Sequence, residues 1–198
     1  MTSTEPLAQL SAVGVAIWLD DLSRDRLHTG NLKSMIENKH VVGVTTNPSI
    51  FQTAISKSSL YDDHIRAAAE TGEDAHGAVR RFTTDDVRNA ADLFTAVAEQ
   101  SGNGDGRVSI EVDPRLAHDT DATISQAQDL WTEIGRPNIY VKIPATTLSL
   151  PAITAASPSR PYEAGGARHD RAVSVLRLRR VGQWRTCART SRKADNRW

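Results

Sequence analysis

The sequence predicts an α/β protein: the N-terminal half of a (β/α)8 TIM barrel, truncated after four strands. Three observations predict it. Short β-branched runs alternate with helical spacings from residue 15 to residue 155, which implies βαβ units and a parallel sheet. Four successive strands each end in a polar group on the same expected face, and barrel sites sit at such strand ends. The first strand runs into Asp20-Asp21-Leu22-Ser23, where an open doubly wound sheet would usually carry a glycine-rich phosphate loop.

The elements follow in order. Val15 to Asp21 reads as a strand ending in two carboxylates, and Asn31 to Lys39 as a short helix with Leu32, Met35 and Ile36 on one side. Val41 to Thr46 is a second strand. It stops at Asn47-Pro48, an N-cap residue followed by the residue best suited to the first helical position. Helices are expected from Pro48 to about Glu70, broken near Ser56–Ser59, and from Thr84 to about Gln100. The turn-rich run Ser101 to Gly106 stops the latter. Val108 to Val112 is a third strand, Asp119 to Ile134 a helix, and Ile139 to Ile143 a fourth strand with Lys142 inside it. A last helix begins near Leu150.

Alternation assigns the faces. Side chains two apart share a side of a strand. Val15, Ile17 and Leu19, then Val42 and Val44, then Val108, Ile110 and Val112, then Val141 and Ile143 form the apolar side expected against the helices. The opposite side gathers Asp20, Thr45, Asn47, Glu111 and Lys142 in the barrel interior. Each has a plainer reading: Asp20 as a turn residue, Asn47 as a cap, Glu111 with Lys142 as a structural ion pair, Thr45 as an ordinary strand threonine. Their coincidence on one face favours chemistry. A lysine among apolar side chains has its charged form disfavoured and is the more nucleophilic for it. It can condense with a ketone to give a Schiff base, and two carboxylates nearby can carry the protons. No His/Cys cluster has metal-ligand spacing, so the expected chemistry is that of a class I aldolase, with no metal and no cofactor.

Charge divides the chain. Residues 1–156 carry 13 Lys+Arg against 21 Asp+Glu, whereas residues 157–198 carry 11 against 3. Arginine outnumbers lysine 9 to 4 before the break and 10 to 1 after it. Residues 1–156 are therefore read as the partial barrel. Residues 157–198 are read as a basic, arginine-rich tail, disordered or out of frame, without strand–helix alternation. A single cysteine, Cys187, fits a reducing compartment, and neither a signal peptide nor a membrane-crossing run is visible. A cytoplasmic location is expected.

Four stretches resemble the transaldolase family: Trp18-Leu19-Asp20-Asp21-Leu22-Ser23-Arg24, Gly43 to Phe51 with its Thr-Thr-Asn-Pro-Ser block, Val108 to Arg115 with Glu-Val-Asp-Pro-Arg, and Val141 to Thr146. The resemblance runs from about Ala12 to Ala156, roughly the first half of a family barrel. It implies that Lys142 is the Schiff-base lysine. Asp20 is then the acid/base that triggers C3–C4 cleavage, and Glu111 works through a water in the imine steps. Asn47 and Thr45 hold the dihydroxyacetone unit. It further implies transfer of that unit from a ketose phosphate (sedoheptulose 7-phosphate or fructose 6-phosphate) to an aldose phosphate (glyceraldehyde 3-phosphate or erythrose 4-phosphate), in the pentose phosphate pathway. Sugar phosphates are the expected partners; membrane and nucleic acid are not, and the oligomeric state is left open.

After Ala156 the family's further strands and phosphate-binding residues are not recognisable. The chain is therefore expected to be inactive, with the edges of strands 1 and 4 unpaired. Two other functions stand beside this one: a Schiff-base aldolase that releases free dihydroxyacetone, and a non-catalytic remnant whose basic tail binds nucleic acid.

Overall fold

A computed structural model describes residues 5–155, 173–179 and 183–187. Four strands, β1 (Ile17–Leu19), β2 (Val41–Val44), β3 (Arg107–Glu111) and β4 (Ile139–Pro144), lie side by side and parallel in chain order. A doubly wound sheet reverses its strand order at a switch point; this one does not, and the singly wound order is that of a barrel wall. The register places Leu19 opposite Val44, Val44 opposite Val108, and Glu111 opposite Lys142.

The connections are helical. α1 (Pro6–Ala12) precedes β1; α2 (Arg24–His28) and α3 (Asn31–Lys39) join β1 to β2. The β2–β3 connection is longer: α4 (Pro48–Lys57), a 3-10 turn at Ser59–Tyr61, α5 (Asp62–Glu70), α6 (Ala75–Leu93) and α7 (Thr95–Gln100). α8 (Thr120–Ile134) joins β3 to β4, and α9 (Leu150–Ala155) follows. Side-chain caps fix several starts. Ser23, Asn47, Asp74 and Asp119 each accept a backbone N–H of the first turn. α6 begins at Ala75, nine residues before the expected Thr84. The Asp74 cap, whose carboxylate accepts from Gly77 N at 2.7 Å, starts a turn that Gly77 obscures in the sequence.

The apolar sides of the strands meet the helices as alternation requires, except at their starts, where Val15 is exposed and Val41 rather than Val42 joins the core. Val44, Val108, Val112, Val141 and Ile143 are buried against Val87, Phe94, Ala127, Leu130 and Ile134. The other side of the sheet has its own packing. The Trp18 indole lies against Gly43, where a β-carbon would stand only 2.5 Å from the ring, so β2 carries no side chain there. Trp18 stacks on Tyr140, with ring centroids 6.3 Å apart. The fully buried Arg107 sets its guanidinium 5.3 Å from the Tyr140 ring and donates to Pro137 O at 2.9 Å. This layer floors the site above it.

The edges differ from expectation. β1 remains an edge among the described residues, but the far edge of β4 does not. β5 (Val173–Arg179) pairs antiparallel with β4, and β6 (Gln183–Cys187) pairs antiparallel with β5. A search for strand–helix alternation passes over such a pair, which is two strand-length runs only three residues apart. The other residues of the 157–198 tail lie outside the described residues. No helix among the described residues is long and apolar enough to cross a membrane.

Candidate active site

Two parallel strands put the central pair together. Glu111 and Lys142 are register partners on β3 and β4, and their side chains leave the same side of the sheet. Lys142 Nζ lies 3.6 Å from Glu111 Oε2. Both side chains are largely enclosed, at 8% and 14% exposure, so bulk water screens this pair little. From β2, the Thr45 hydroxyl completes the group, accepting from Lys142 Nζ at 3.4 Å.

Thr45 is held from beneath. β2 leaves the ladder after Val44, and hydrogen bonds to Ser109 carry the β2–β3 link onward. Ser109, 1% exposed, donates its hydroxyl to Thr45 Oγ1 at 3.0 Å and accepts from Thr46 N at 3.3 Å. The Thr46 hydroxyl donates to Ser109 O at 2.6 Å. Alternation puts Ser109 on the same face as Glu111, but Ser109 was not among the expected site residues. Its signal was a hydroxyl in line with Glu111, one alternate position below it.

Asn47 does what its capping pattern predicts: Oδ1 accepts from Ile50 N at 3.0 Å and starts α4. It also lines two clefts. One, of about 550 Å³, is bounded by Glu111, Phe51, Ile110, Arg115 and Leu130. The other, of about 640 Å³, is bounded by Asp20, Asp21, Ser58 and Lys57. The structure thus brings Glu111, Lys142 and Thr45 together and sets Asn47 beside them. Asp20, exposed at the end of β1, opens into the second cleft.

The two carboxylates that end β1 are distinguishable in three dimensions. Asp21 is tied to Arg26, which donates Nε to Asp21 Oδ2 at 2.9 Å. Asp20 makes neither a salt bridge nor a side-chain hydrogen bond among the described residues. Four residues on, a second buried polar group anchors this loop, one that sequence reading did not identify. Asp86 of α6 is fully buried and accepts from Tyr61 OH at 2.6 Å and from Arg24 Nε at 2.9 Å. Tyr61 OH in turn accepts from Arg24 N at 3.1 Å, and the Arg24 guanidinium stacks 4.4 Å from the Tyr61 ring. Burial, reinforced by the Asp86 bond, pushes the Tyr61 hydroxyl well above the usual tyrosine range. Burial also raises Asp86, against the opposing pull of its Tyr61 and Arg24 bonds. Among the described residues, no group of three or more His, Cys, Asp or Glu could hold a metal ion.

Four parallel strands in chain order, with helices between them and a buried lysine–carboxylate pair at their ends, have the architecture of part of a (β/α)8 barrel. The family model for transaldolase/fructose-6-phosphate aldolase matches residues 17–159, and the chain belongs to that family. The transaldolase of Mycolicibacterium smegmatis (strain ATCC 700084 / mc(2)155) is 59% identical over 155 residues, and that of Mycobacterium ulcerans (strain Agy99) 60% over 156. The transaldolase of Mycobacterium tuberculosis (strain CDC 1551 / Oshkosh) is 58% identical over 156 residues. Each alignment covers 78% of this chain and 42% of the relative, so the chain matches less than half the length of these proteins.

Proposed function

We propose that Lys142 condenses with the ketone of a ketose phosphate, and that a dihydroxyacetone unit is carried on the resulting imine. The observation that supports this most is the enclosed Lys142–Glu111 pair, set at the strand ends in a chain of the transaldolase/fructose-6-phosphate aldolase family. The amine lone pair attacks the ketone carbon, and the carbonyl π pair moves to oxygen. The nitrogen passes a proton to Glu111, which returns it to the oxygen; a second proton, taken up by Glu111 from solvent, then leaves with the hydroxyl as water as the nitrogen lone pair forms the iminium. Asp20 takes the C4 hydroxyl proton; C3–C4 cleaves, and its electron pair enters the iminium. Asn47 offers its amide to the hydroxyls of the bound unit.

Condensation uses groups on β2 to β4, and these already touch. Completing a transfer also requires Asp20 over the same sugar and an anchor for the phosphate. We therefore propose that this 198-residue chain forms the imine and does not turn over. The family description names a fructose-6-phosphate aldolase beside the transaldolase, so release of free dihydroxyacetone is the second reading.

The test is borohydride reduction in the presence of fructose 6-phosphate or dihydroxyacetone, followed by peptide mass spectrometry. A reduced adduct on the peptide containing Lys142 is expected. An adduct confined to other lysines would end the Schiff-base reading. Product analysis separates the two outcomes of cleavage: a heptulose phosphate in the presence of erythrose 4-phosphate marks transfer, and free dihydroxyacetone marks the aldolase.

A further inference from the structure

We propose that Ser109 is a positioning residue, and that it makes Thr45 the hydrogen-bond donor to the ketone oxygen at Lys142. The idea deepens the Schiff-base reading and rests on it for the identity of the carbonyl compound. It starts from an accounting of donors. A backbone N–H only donates, so Thr46 N–H fixes Ser109 Oγ as its acceptor at 3.3 Å. The Ser109 proton is then directed elsewhere, and it lies on Thr45 Oγ1 at 3.0 Å. Lys142 Nζ also donates to that oxygen, at 3.4 Å. Thr45 Oγ1 now has both acceptor positions in use. Its own proton cannot turn toward Ser109, nor toward a nitrogen whose lone pair is taken up by a proton or, during attack, by the ketone carbon. What remains is a hydroxyl donor, 7% exposed, beside the nitrogen that attacks.

The direction of this relay has a chemical use. As the C–N bond forms, negative charge develops on the former carbonyl oxygen, within bonding reach of the amine's immediate neighbours. A donor already aimed there stabilises that charge without reorganising. Thr45 gives up no proton in this step. It holds the oxyanion until Glu111, having taken a proton from nitrogen, returns it to oxygen. A reversed relay would present a lone pair to the oxyanion and oppose the step. The direction starts at a backbone amide, at the point where β2 leaves the ladder: Thr46 N–H takes one lone pair of Ser109 Oγ and turns the Ser109 proton away, toward Thr45 Oγ1.

The experiment measures the rate of Lys142 modification by mass spectrometry with two carbonyl probes in the 198-residue chain. One is dihydroxyacetone with borohydride; the other is formaldehyde with cyanoborohydride. Thr45→Val should slow modification of Lys142 by about 10²-fold, and Thr45→Ser, which keeps the hydroxyl, should hold the wild-type rate within about threefold. Ser109→Ala should slow it by about tenfold or more, since an unfixed Thr45 hydroxyl still points outward part of the time. In the double variant, Ser109→Ala should add nothing to the loss caused by Thr45→Val, because its effect passes through Thr45.

A wild-type rate in Ser109→Ala would overturn the proposal, as would a double variant slowed by the product of the two single effects. Failure of the wild type to react with dihydroxyacetone would sink the ketose reading alone. The formaldehyde series would still decide the role of Ser109, since it needs the same oxyanion and no sugar. Should Ser109→Ala not fold, the contrast between Thr45→Val and Thr45→Ser carries the test: equal losses in both would refute a donor role.

Discussion

Two buried polar groups lie within this half barrel, and they are built differently. Around Asp86 the bonds are short, 2.6 Å to Tyr61 and 2.9 Å to Arg24, and the carboxylate is fully buried. Around Lys142 the contacts are longer, 3.4 Å to Thr45 and 3.6 Å to Glu111, and the pair keeps a little exposure. The first group is tightly bonded at its carboxylate, leaves only Arg24 Nη1 of its buried side-chain atoms without a partner among the described residues, and ties the loop after β1 to α6 and the Ser59–Tyr61 turn. The second keeps bonding capacity in reserve. The contrast separates a polar group that closes a structure from one that waits for a ligand.

The largest expected effect is also the simplest. Lys142→Met should abolish borohydride-trapped adduct on the peptide that carries residue 142, and the double variant Lys142→Met/Glu111→Gln, which strands neither charge, should leave stability to denaturant unchanged or slightly raised. A loss of stability as large as that from disturbing Asp86 would erase the distinction. Asp86→Ala should cost about 3–5 kcal/mol in urea unfolding, as it strands the buried Arg24 charge and the Tyr61 hydroxyl. A cost below about 1 kcal/mol would mean that the short bonds around Asp86 do not hold the fold.

Glu111→Gln keeps the shape of the pair and removes the proton carrier. Imine formation should slow by about 10²-fold, read as the rate of adduct appearance by mass spectrometry. Tyr61→Phe should cost about 1–2 kcal/mol, since it deletes one bond to Asp86 and keeps the ring. The smallest effect is in alkali. The folded state raises the Tyr61 pKa, so its contribution is fully present below the unfolded value of about 10 and is lost as pH climbs toward the folded one. Stability should therefore fall above about pH 10, and Tyr61→Phe should flatten that fall. An unchanged slope in the variant would assign the alkaline transition to other groups.

Much of the Lys142 site was legible because it depends on a rule local to strands. Alternation alone puts Glu111 and Lys142 on one side, and parallel pairing then sets them opposite each other. Asn47 was legible for a similar reason, since an Asn-Pro start defines its own cap. The Asp86 group was not. Its members lie 25 and 62 residues apart along the chain, so only the packed fold unites them. One trace existed: Asp86 is four residues from Phe82 and four from Ala90, on the stripe of α6 that is buried. Reading that helix from Thr84 left Phe82 out and hid the stripe. The β5–β6 pair was missed because only strand–helix alternation was sought beyond Ala156.

The cap at Asn47 has a consequence for how such a site changes over evolution. Only Oδ1 is committed to Ile50 N–H, which leaves the amide nitrogen as the part that can meet a ligand. Asn47→Asp would keep an oxygen for the cap and add a negative charge where the N-terminus of α4 favours one. The same exchange would replace a donor by an acceptor at the mouth of both clefts. Folding and recognition are therefore separable at this residue by a single atom, and selection can test new ligands here without first risking the helix.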